Sequence, residues 1–396
     1  MSATSNYGAS EETTTGQDDG EHPVIFGIRA IDRFFFQPLE PTSLGLVRIA
    51  TGIVVLYVHL MYSVGLENYL GPYAWVRNSG WTQEAGEGGV TDFLRHGNTI
   101  QGPSWTWDDS AGRIFRGQTM WSIYYHVEDP FWIRVIHYGI LLVFLFFTLG
   151  LWTPITSKLA WIGSLMYIQR LQGMLFGMDT MTNLGLFYLM FAPCGAALSL
   201  DRWLQLRADK KRLGGKFVPR PPEPLVSARL LTRAIQINFC LIYAGAGTSK
   251  LLGASWWNAT APAGFLLNYS FAPFEVNGYT ETIQFLIAHR WMWEILCTVG
   301  TVGTLVLELG FPFLVWNRRT RWVMVCGSVL LHTMIALLMG LVTFSLMMLA
   351  LVASFVPPEA ARQWLESASD TLRQARHLLF GGHPKADATP NVLLSR

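Results

Sequence analysis

The stretch Ile242 to Trp257, IYAGAGTSKLLGASWW, decides how the rest of this sequence is interpreted. It closes an apolar run that begins near Leu230, and it contains a single lysine, Lys250. A lysine inside a membrane-spanning segment is costly unless it has a partner, a route to water or a chemical role. The small residues Gly245 to Gly247 leave room for another helix or a flat ligand to approach the backbone. We therefore treat the rest of the chain as the frame around Lys250.

The composition predicts an integral, multi-pass membrane protein whose partner is a lipid bilayer. Of the 396 residues, 51% are hydrophobic and only 14% are charged, whereas soluble domains have about 25% charged residues. The net charge is only +2, so the composition does not indicate a nucleic-acid partner. The four cysteines form no CxxC pair, so we expect neither a disulfide framework nor a metal site.

Apolar stretches long enough to cross a bilayer recur along the chain, since about 20 residues suffice for one crossing. We predict an all-α bundle of about eight transmembrane helices. The predicted organisation is a disordered acidic tail at 1–24, a transmembrane domain at 25–358 and an amphipathic, polar tail at 359–396. The predicted spans are Leu44 to Val64, Phe131 to Trp152, Ile155 to Gly173, Thr182 to Leu200, Leu230 to Leu252, Trp293 to Trp316, and two short spans between Trp322 and Val356 that turn near Gly340.

Positive charge predicts the orientation of the bundle. The most basic stretch, Asp201 to Arg220, is expected to be a cytoplasmic loop under the positive-inside rule. Alternation of the spans then puts both termini in the cytoplasm and Lys250 near the outer face. We expect one polar pocket on that face to gather Lys250, Asp179 and His332.

Three stretches carry a resemblance to a known family. The first is Ala246-Gly247-Thr248-Ser249-Lys250-Leu251 with Trp256 beyond it, and the second joins Leu331-His332-Thr333-Met334 to the run from Phe344 to Ala350. The third is Arg48 together with the pair Met178-Asp179. These stretches, which span most of residues 35 to 358, resemble the membrane domain shared by vitamin K-dependent gamma-carboxylase and the bacterial HTTM proteins.

The resemblance implies a quinone-dependent enzyme of the carboxylase or oxidoreductase type. Its cofactor would be a reduced quinone, Lys250 the base that deprotonates it, and His332 the catalytic partner. The candidate ligand-binding residues are Arg48, Asp179 and Trp256 from the resembling stretches and Glu308, the acid inside the sixth predicted span. Two departures argue against gamma-carboxylation of a peptide. Gly185 and Leu186 stand where the carboxylase has an Asn-His pair, and no large lumenal domain is expected after the last span.

Simpler interpretations of the same residues stay open. Lys250 can extend its charge to the interface, and His332 can be a core histidine bonded to a neighbouring carbonyl. Arg48 and Glu308 can form an ion pair with each other or with Asp179. The alternative function is a non-enzymatic binder or transporter of a small molecule that keeps the fold without the chemistry.

Overall fold

A computed structural model describes residues 23–71, 122–127, 129–171, 175–268 and 277–380 as an assembly of α-helices. In these ranges the extended pairing is limited to one isolated antiparallel bridge between Leu39 and Leu225. The prediction of an all-α fold is therefore confirmed for the part of the chain that is described. Three predicted segments lie wholly or partly outside the described ranges. They are residues 1–22 of the N-terminal tail, residues 381–396 of the C-terminal tail, and most of the loop from Glu67 to Asp129.

The described ranges contain fifteen α-helices, and we label them in chain order. They are α1 (Pro23–Phe36), α2 (Thr42–Tyr62), α3 (Leu66–Leu70), α4 (Pro130–Leu149), α5 (Thr153–Arg170), α6 (Gly177–Phe191), α7 (Leu200–Leu213), α8 (Val226–Lys250), α9 (Ala254–Trp257), α10 (Ala261–Leu266), α11 (Asn277–Ala288), α12 (Arg290–Leu314), α13 (Arg321–Met339), α14 (Val342–Val352) and α15 (Pro358–Phe380).

Within the described ranges, four helical segments are long and apolar enough to cross a membrane: Thr42–Leu70, α4, α12 and α13. A fifth crossing is possible if Val342–Phe355 and Pro358–Ala368, which meet at a bend of 114°, count as one span. The helix that ends at Lys250, α8, does not qualify. Its polar side chains make hydrogen bonds inside the bundle. Gln236 donates to the Ser354 carbonyl, which follows α14, and accepts a hydrogen bond from Arg233 of the same helix.

Two predicted segments differ from the structure. The fourth predicted span was expected to reach Leu200, but α6 ends at Phe191, two residues before Pro193, which cannot donate a backbone hydrogen bond to a continuing helix. At 15 residues α6 is about 22 Å long, shorter than the hydrocarbon core of a bilayer. The basic stretch that was expected to be a loop is mostly the helix α7, which Ser199 caps through the amide of Arg202.

The turn near Gly340 is confirmed. Gly340 has a φ of 69°, a left-handed conformation that glycine adopts without a steric penalty. It separates α13 from α14, so the long apolar run after Trp322 folds back on itself as two packed helices.

Contacts between neighbouring helices define two ends of the bundle. At the Leu39 end, the Leu39–Leu225 bridge joins the start of α2 to the start of α8, and Ser43 donates to the Val356 carbonyl just after α14. The opposite end, where α8 stops, is called the Lys250 end. The last turn of α2 lies there beside the end of α5, because the rings of Tyr62 and Tyr167 stack with centroids 5.8 Å apart.

Candidate functional site

Lys250 is held by a buried acid on the neighbouring helix. Its Nζ lies 2.7 Å from Oε2 and 2.9 Å from Oε1 of Glu308. The Lys250 side chain is 23% exposed and that of Glu308 only 9% exposed. The predicted pairing of Glu308 with Arg48 or Asp179 is therefore wrong, and Lys250 does not simply extend into water. The two predicted site residues form one ion pair at the edge of the bundle.

A glycine explains how α8 and α12 come close enough for this contact. A Cβ atom placed on Gly247 would lie 2.8 Å from the Leu309 Cδ2 atom and 3.3 Å from the Glu308 Cβ atom. A larger side chain would have to displace the Leu309 side chain or α12 itself, so the small residue helps to bring Glu308 within reach of Lys250. Gly245 faces open space instead. The expectation that small residues admit a neighbouring helix holds at Gly247.

Trp256 covers the ammonium group from the other side. After Lys250 the chain turns through Gly253, whose amide donates to the Lys250 carbonyl, and α9 begins at once. This turn brings the Trp256 ring back over Lys250, with Nζ 5.4 Å from the ring centroid. That distance is within the range in which an ammonium is attracted to an indole face. Glu308, Trp256 and the Ala246 carbonyl, which lies 3.5 Å from Nζ, are the groups found around the ammonium.

His332 belongs to a hydrogen-bonded group beside this pair. Its Nε2 lies 2.8 Å from the hydroxyl of Tyr243, which in turn lies 2.6 Å from the hydroxyl of Ser328. The simpler interpretation gave His332 a carbonyl as its hydrogen-bond partner, but its partner is the hydroxyl of Tyr243. The buried Nδ1 of His332 has no hydrogen-bond partner among the residues described. His332 also interacts electrostatically with Lys250, as Tyr243 does with Glu308.

Tyr243 is the site residue that our sequence reasoning missed. It lies seven residues before Lys250 on α8, two helical turns away, so both side chains are on one face of the helix. A buried hydroxyl on that face needs a partner, and the two polar residues of α13 supply it. The spacing was visible in the sequence, although the partners on α13 were not.

Asp179 does not join Lys250. Its Oδ2 accepts a hydrogen bond from the Phe176 amide, which caps the start of α6. Phe344 contacts the neighbourhood of both predicted site residues on other elements: its ring centroid lies 5.9 Å from that of His332, and a Cβ atom placed on Gly177 would lie 3.3 Å from its Cε2 atom. The single pocket expected to gather Lys250, Asp179 and His332 therefore stays a prediction.

Arg48 lies at the Leu39 end, far along the bundle from Lys250. It is fully buried, and its guanidinium donates to the carbonyls of Cys194 and Leu198 in the turn after α6. It also interacts electrostatically with Asp201. These contacts show Arg48 holding a loop; its predicted role in binding a ligand stays a prediction.

A second polar cluster at the Lys250 end was not predicted as a site. His137 is fully buried, with Nε2 2.7 Å from the Ser63 hydroxyl and Nδ1 2.6 Å from the Tyr167 hydroxyl. Tyr124 donates to that same Tyr167 oxygen at 3.1 Å. The sequence contained a signal for this cluster, because His137 is an ionisable residue inside an apolar span and such a residue is a candidate functional residue.

Two hollows border the described helices. The Asp179 cavity, which His59, Tyr167 and Thr182 also line, has a volume of about 10 Å³, close to the space one water molecule needs. The larger Lys158 cavity, of about 540 Å³, opens at the Leu39 end between α5, α6 and α7. Neither hollow has Lys250 or His332 on its wall.

Comparisons with known protein families, with curated proteins and with solved structures found no match to this chain. The candidate site accordingly depends on its own geometry. In the residues described, no cluster of three or more His, Cys, Asp or Glu side chains is arranged to bind a metal ion.

Proposed function

We propose that this chain is a membrane protein of the HTTM and vitamin K-dependent carboxylase-like type, and that it is a quinone-dependent enzyme with Lys250 as its base. The observation that carries the proposal is the contact of 2.7 Å between Lys250 Nζ and Glu308 Oε2 at the end of α8. It combines an amine, a proton acceptor and an aromatic surface at one place. The resemblance in residues 246–251 and 331–334 supplies the expected chemistry.

The proposed topology has about eight spans, both termini in the cytoplasm and the Lys250 end facing outward. Charge at the Leu39 end supports it. Arg318, Arg319 and Arg321 follow α12 there, and the basic helix α7 lies at the same end. Cations concentrated on one side of a bundle favour the cytoplasmic side for that end. Helices such as α8, whose polar groups face other helices, can cross a membrane without a uniformly apolar surface.

Glu308 makes Lys250 available as a base by accepting its proton. Transfer of one proton from Nζ to Oε1 along their hydrogen bond converts an ion pair into a neutral amine and a neutral carboxylic acid. A weakly polar environment favours such neutral forms over separated charges. The Lys250 lone pair can then accept a proton from an acidic hydroxyl of a substrate, while Glu308 holds the first proton nearby.

The residues around the pair fit one end of a reduced quinone. The Lys250 side chain is partly exposed, and the surface beside Gly245 is open. Trp256 offers a flat face. Nδ1 of His332 is a buried ring nitrogen without a partner in the described part of the chain, which is unusual unless a ligand satisfies it. A bound reduced quinone would supply an ionisable hydroxyl and two electrons.

The test measures binding and turnover separately. The purified protein in lipid nanodiscs is titrated with a reduced naphthoquinone and a reduced ubiquinone analogue, and oxygen-dependent oxidation is followed by absorbance. Lys250→Met should abolish turnover while binding weakens only severalfold. Glu308→Gln should slow turnover, because the proton acceptor is lost. Lys211→Met, on α7 at the other end, is the matched control and should behave as the wild type.

Turnover by Lys250→Met at the wild-type rate, with the fold intact by circular dichroism, would contradict the proposal. Absence of quinone binding by the wild type would contradict it as well.

The second candidate is a non-enzymatic binder or transporter of a small molecule. The replacement of the carboxylase Asn-His pair by Gly185 and Leu186 favours it. Gly185 serves packing, since a Cβ atom there would lie 2.7 Å from the end of Met347. If quinone binds with equal affinity to wild type and Lys250→Met and neither oxidises it, this candidate replaces the first.

A further inference from the structure

The Lys158 cavity at the Leu39 end combines charges of both signs with an apolar border. Its volume of about 540 Å³ is within the range of small-molecule sites. Lys158 of α5 and Arg202 of α7 line it, and Glu223 of the following loop lines it too. None of these residues belongs to the Lys250 site. A ligand of this cavity would therefore be separate from the Lys250 site.

Asp201 also lines the cavity, but its carboxylate already accepts hydrogen bonds from the protein. Oδ1 accepts from the Trp152 amide, and Oδ2 accepts from both the amide and the hydroxyl of Thr153, each at 2.8 Å. These contacts tie α7 to the start of α5. The charges that remain for a ligand are the two cations, Lys158 and Arg202, and the one acid, Glu223.

None of these three charges has an opposite-charge partner in the described chain. Arg202 donates from Nη2 to the carbonyls of Arg220 at 2.9 Å and Pro221 at 3.5 Å, and among the residues described its other guanidinium nitrogens have no acceptor. Two cations near one carboxylate match a molecule that carries a phosphate next to an ammonium group.

The border of the cavity indicates that this molecule is a lipid. Phe191 lines the cavity and is also 59% exposed on the outer surface of the bundle, where Leu159 of α5 is exposed as well. Trp152 and Trp203, which are next in sequence to the lining residues Thr153 and Arg202, are exposed, and tryptophans are enriched at membrane interfaces. A headgroup in the cavity would leave its acyl chains along this apolar surface.

We propose that the Lys158 cavity binds the headgroup of a phospholipid with a primary ammonium group, such as phosphatidylethanolamine. Lys158 and Arg202 bind its phosphate, and Glu223 accepts a hydrogen bond from its ammonium. A trimethylated choline headgroup has no N–H to donate to Glu223, and a glycerol headgroup has no cation to place there. The site is independent of the quinone chemistry, although it requires that the Leu39 end lie at a membrane surface.

Lipid selectivity in nanodiscs tests the proposal. The wild-type protein, delipidated and returned to nanodiscs that contain ethanolamine, choline or glycerol phospholipids at equal mole fraction, is analysed by native mass spectrometry. The ethanolamine lipid should be retained about two- to fivefold better than the other two, the size of effect expected for partly exposed ion pairs. Glu223→Gln should remove that preference, and Lys158→Gln should weaken retention of both the ethanolamine and the glycerol lipid.

Matched controls lie on α7 outside the cavity. Asp209→Asn and Lys210→Gln change the same types of charge and should retain the wild-type preference. Lys158→Arg, which keeps the charge, should retain most of the binding. Equal retention of the three lipids by the wild type overturns the proposal, and so does an equal loss in Asp209→Asn and Glu223→Gln. Displacement of the lipid by an equal concentration of soluble phosphoethanolamine would overturn the assignment to a lipid.

Discussion

Breaking the Lys250–Glu308 pair from either side should have unequal effects on stability. Lys250→Met leaves a carboxylate that is only 9% exposed without its cation. We expect a loss of about 3 kcal/mol in the free energy of unfolding, the lower part of the range for breaking a buried pair. Glu308→Gln leaves an ammonium that is 23% exposed. Its flexible stem can carry the charge to water, so we expect a loss of about 1 kcal/mol.

The double variant separates coupling from independent effects. If the two losses were independent, Lys250→Met with Glu308→Gln would cost their sum of about 4 kcal/mol. Because no charge is left unpaired in the double variant, we expect a cost of only about 1 kcal/mol. The difference is a coupling energy of about 3 kcal/mol.

Reversible unfolding in mixed detergent micelles, followed by far-ultraviolet circular dichroism, measures all four proteins. Lys211→Met, an exposed lysine of α7, controls for loss of a lysine and should change the stability by less than about 0.5 kcal/mol. Equal losses in the two single variants would refute the reasoning about exposure. A double variant whose loss equals the sum of the singles would show that the ion pair does not couple the two helices.

Three further predictions use the same unfolding measurement. Gly247→Ala should lower the free energy of unfolding by about 1–3 kcal/mol, because the added methyl group meets Leu309. Gly245→Ala meets open space and should raise the free energy of unfolding by about 0.5–1 kcal/mol. A change of the same sign in both variants would contradict the packing argument. Arg48→Met should cost about 2–4 kcal/mol, because buried carbonyls lose their donors, and a neutral result would show that water replaces the guanidinium. Tyr167→Phe should cost about 1–3 kcal/mol by removing the hydroxyl shared by two buried partners, and an unchanged stability would mean that those partners find other bonds.

Local patterns predicted several elements well. The segment predicted from Phe131 to Trp152 is the helix α4, and the turn at Gly340 lies where an apolar run is too long for one crossing. Both follow from periodicity or length within a short stretch. The fourth predicted span failed because its apolar character continues past Phe191, whereas Pro193 ends the helix.

The partners of charged residues could not be predicted in this way. Arg48, Asp179 and Glu308 were each recognised as groups that need a partner, but several pairings were equally consistent with their positions. Arg48 binds backbone carbonyls, which have no signature in a list of side chains. Glu308 binds Lys250, 58 residues away in the chain.

By itself the sequence determined the helical class of this protein, the presence of apolar segments long enough to cross a bilayer and the identity of Lys250 as the residue to explain, because hydropathy, helical periodicity and the cost of a charge among apolar residues are local properties. Only the tertiary structure decided which groups meet. The approach of α8 to α12 at Gly247 selected Glu308 as the partner of Lys250, and the approach of α8 to α13 selected Tyr243 as the partner of His332. These outcomes depend on the distance between helix backbones, which packing between segments far apart in the chain sets.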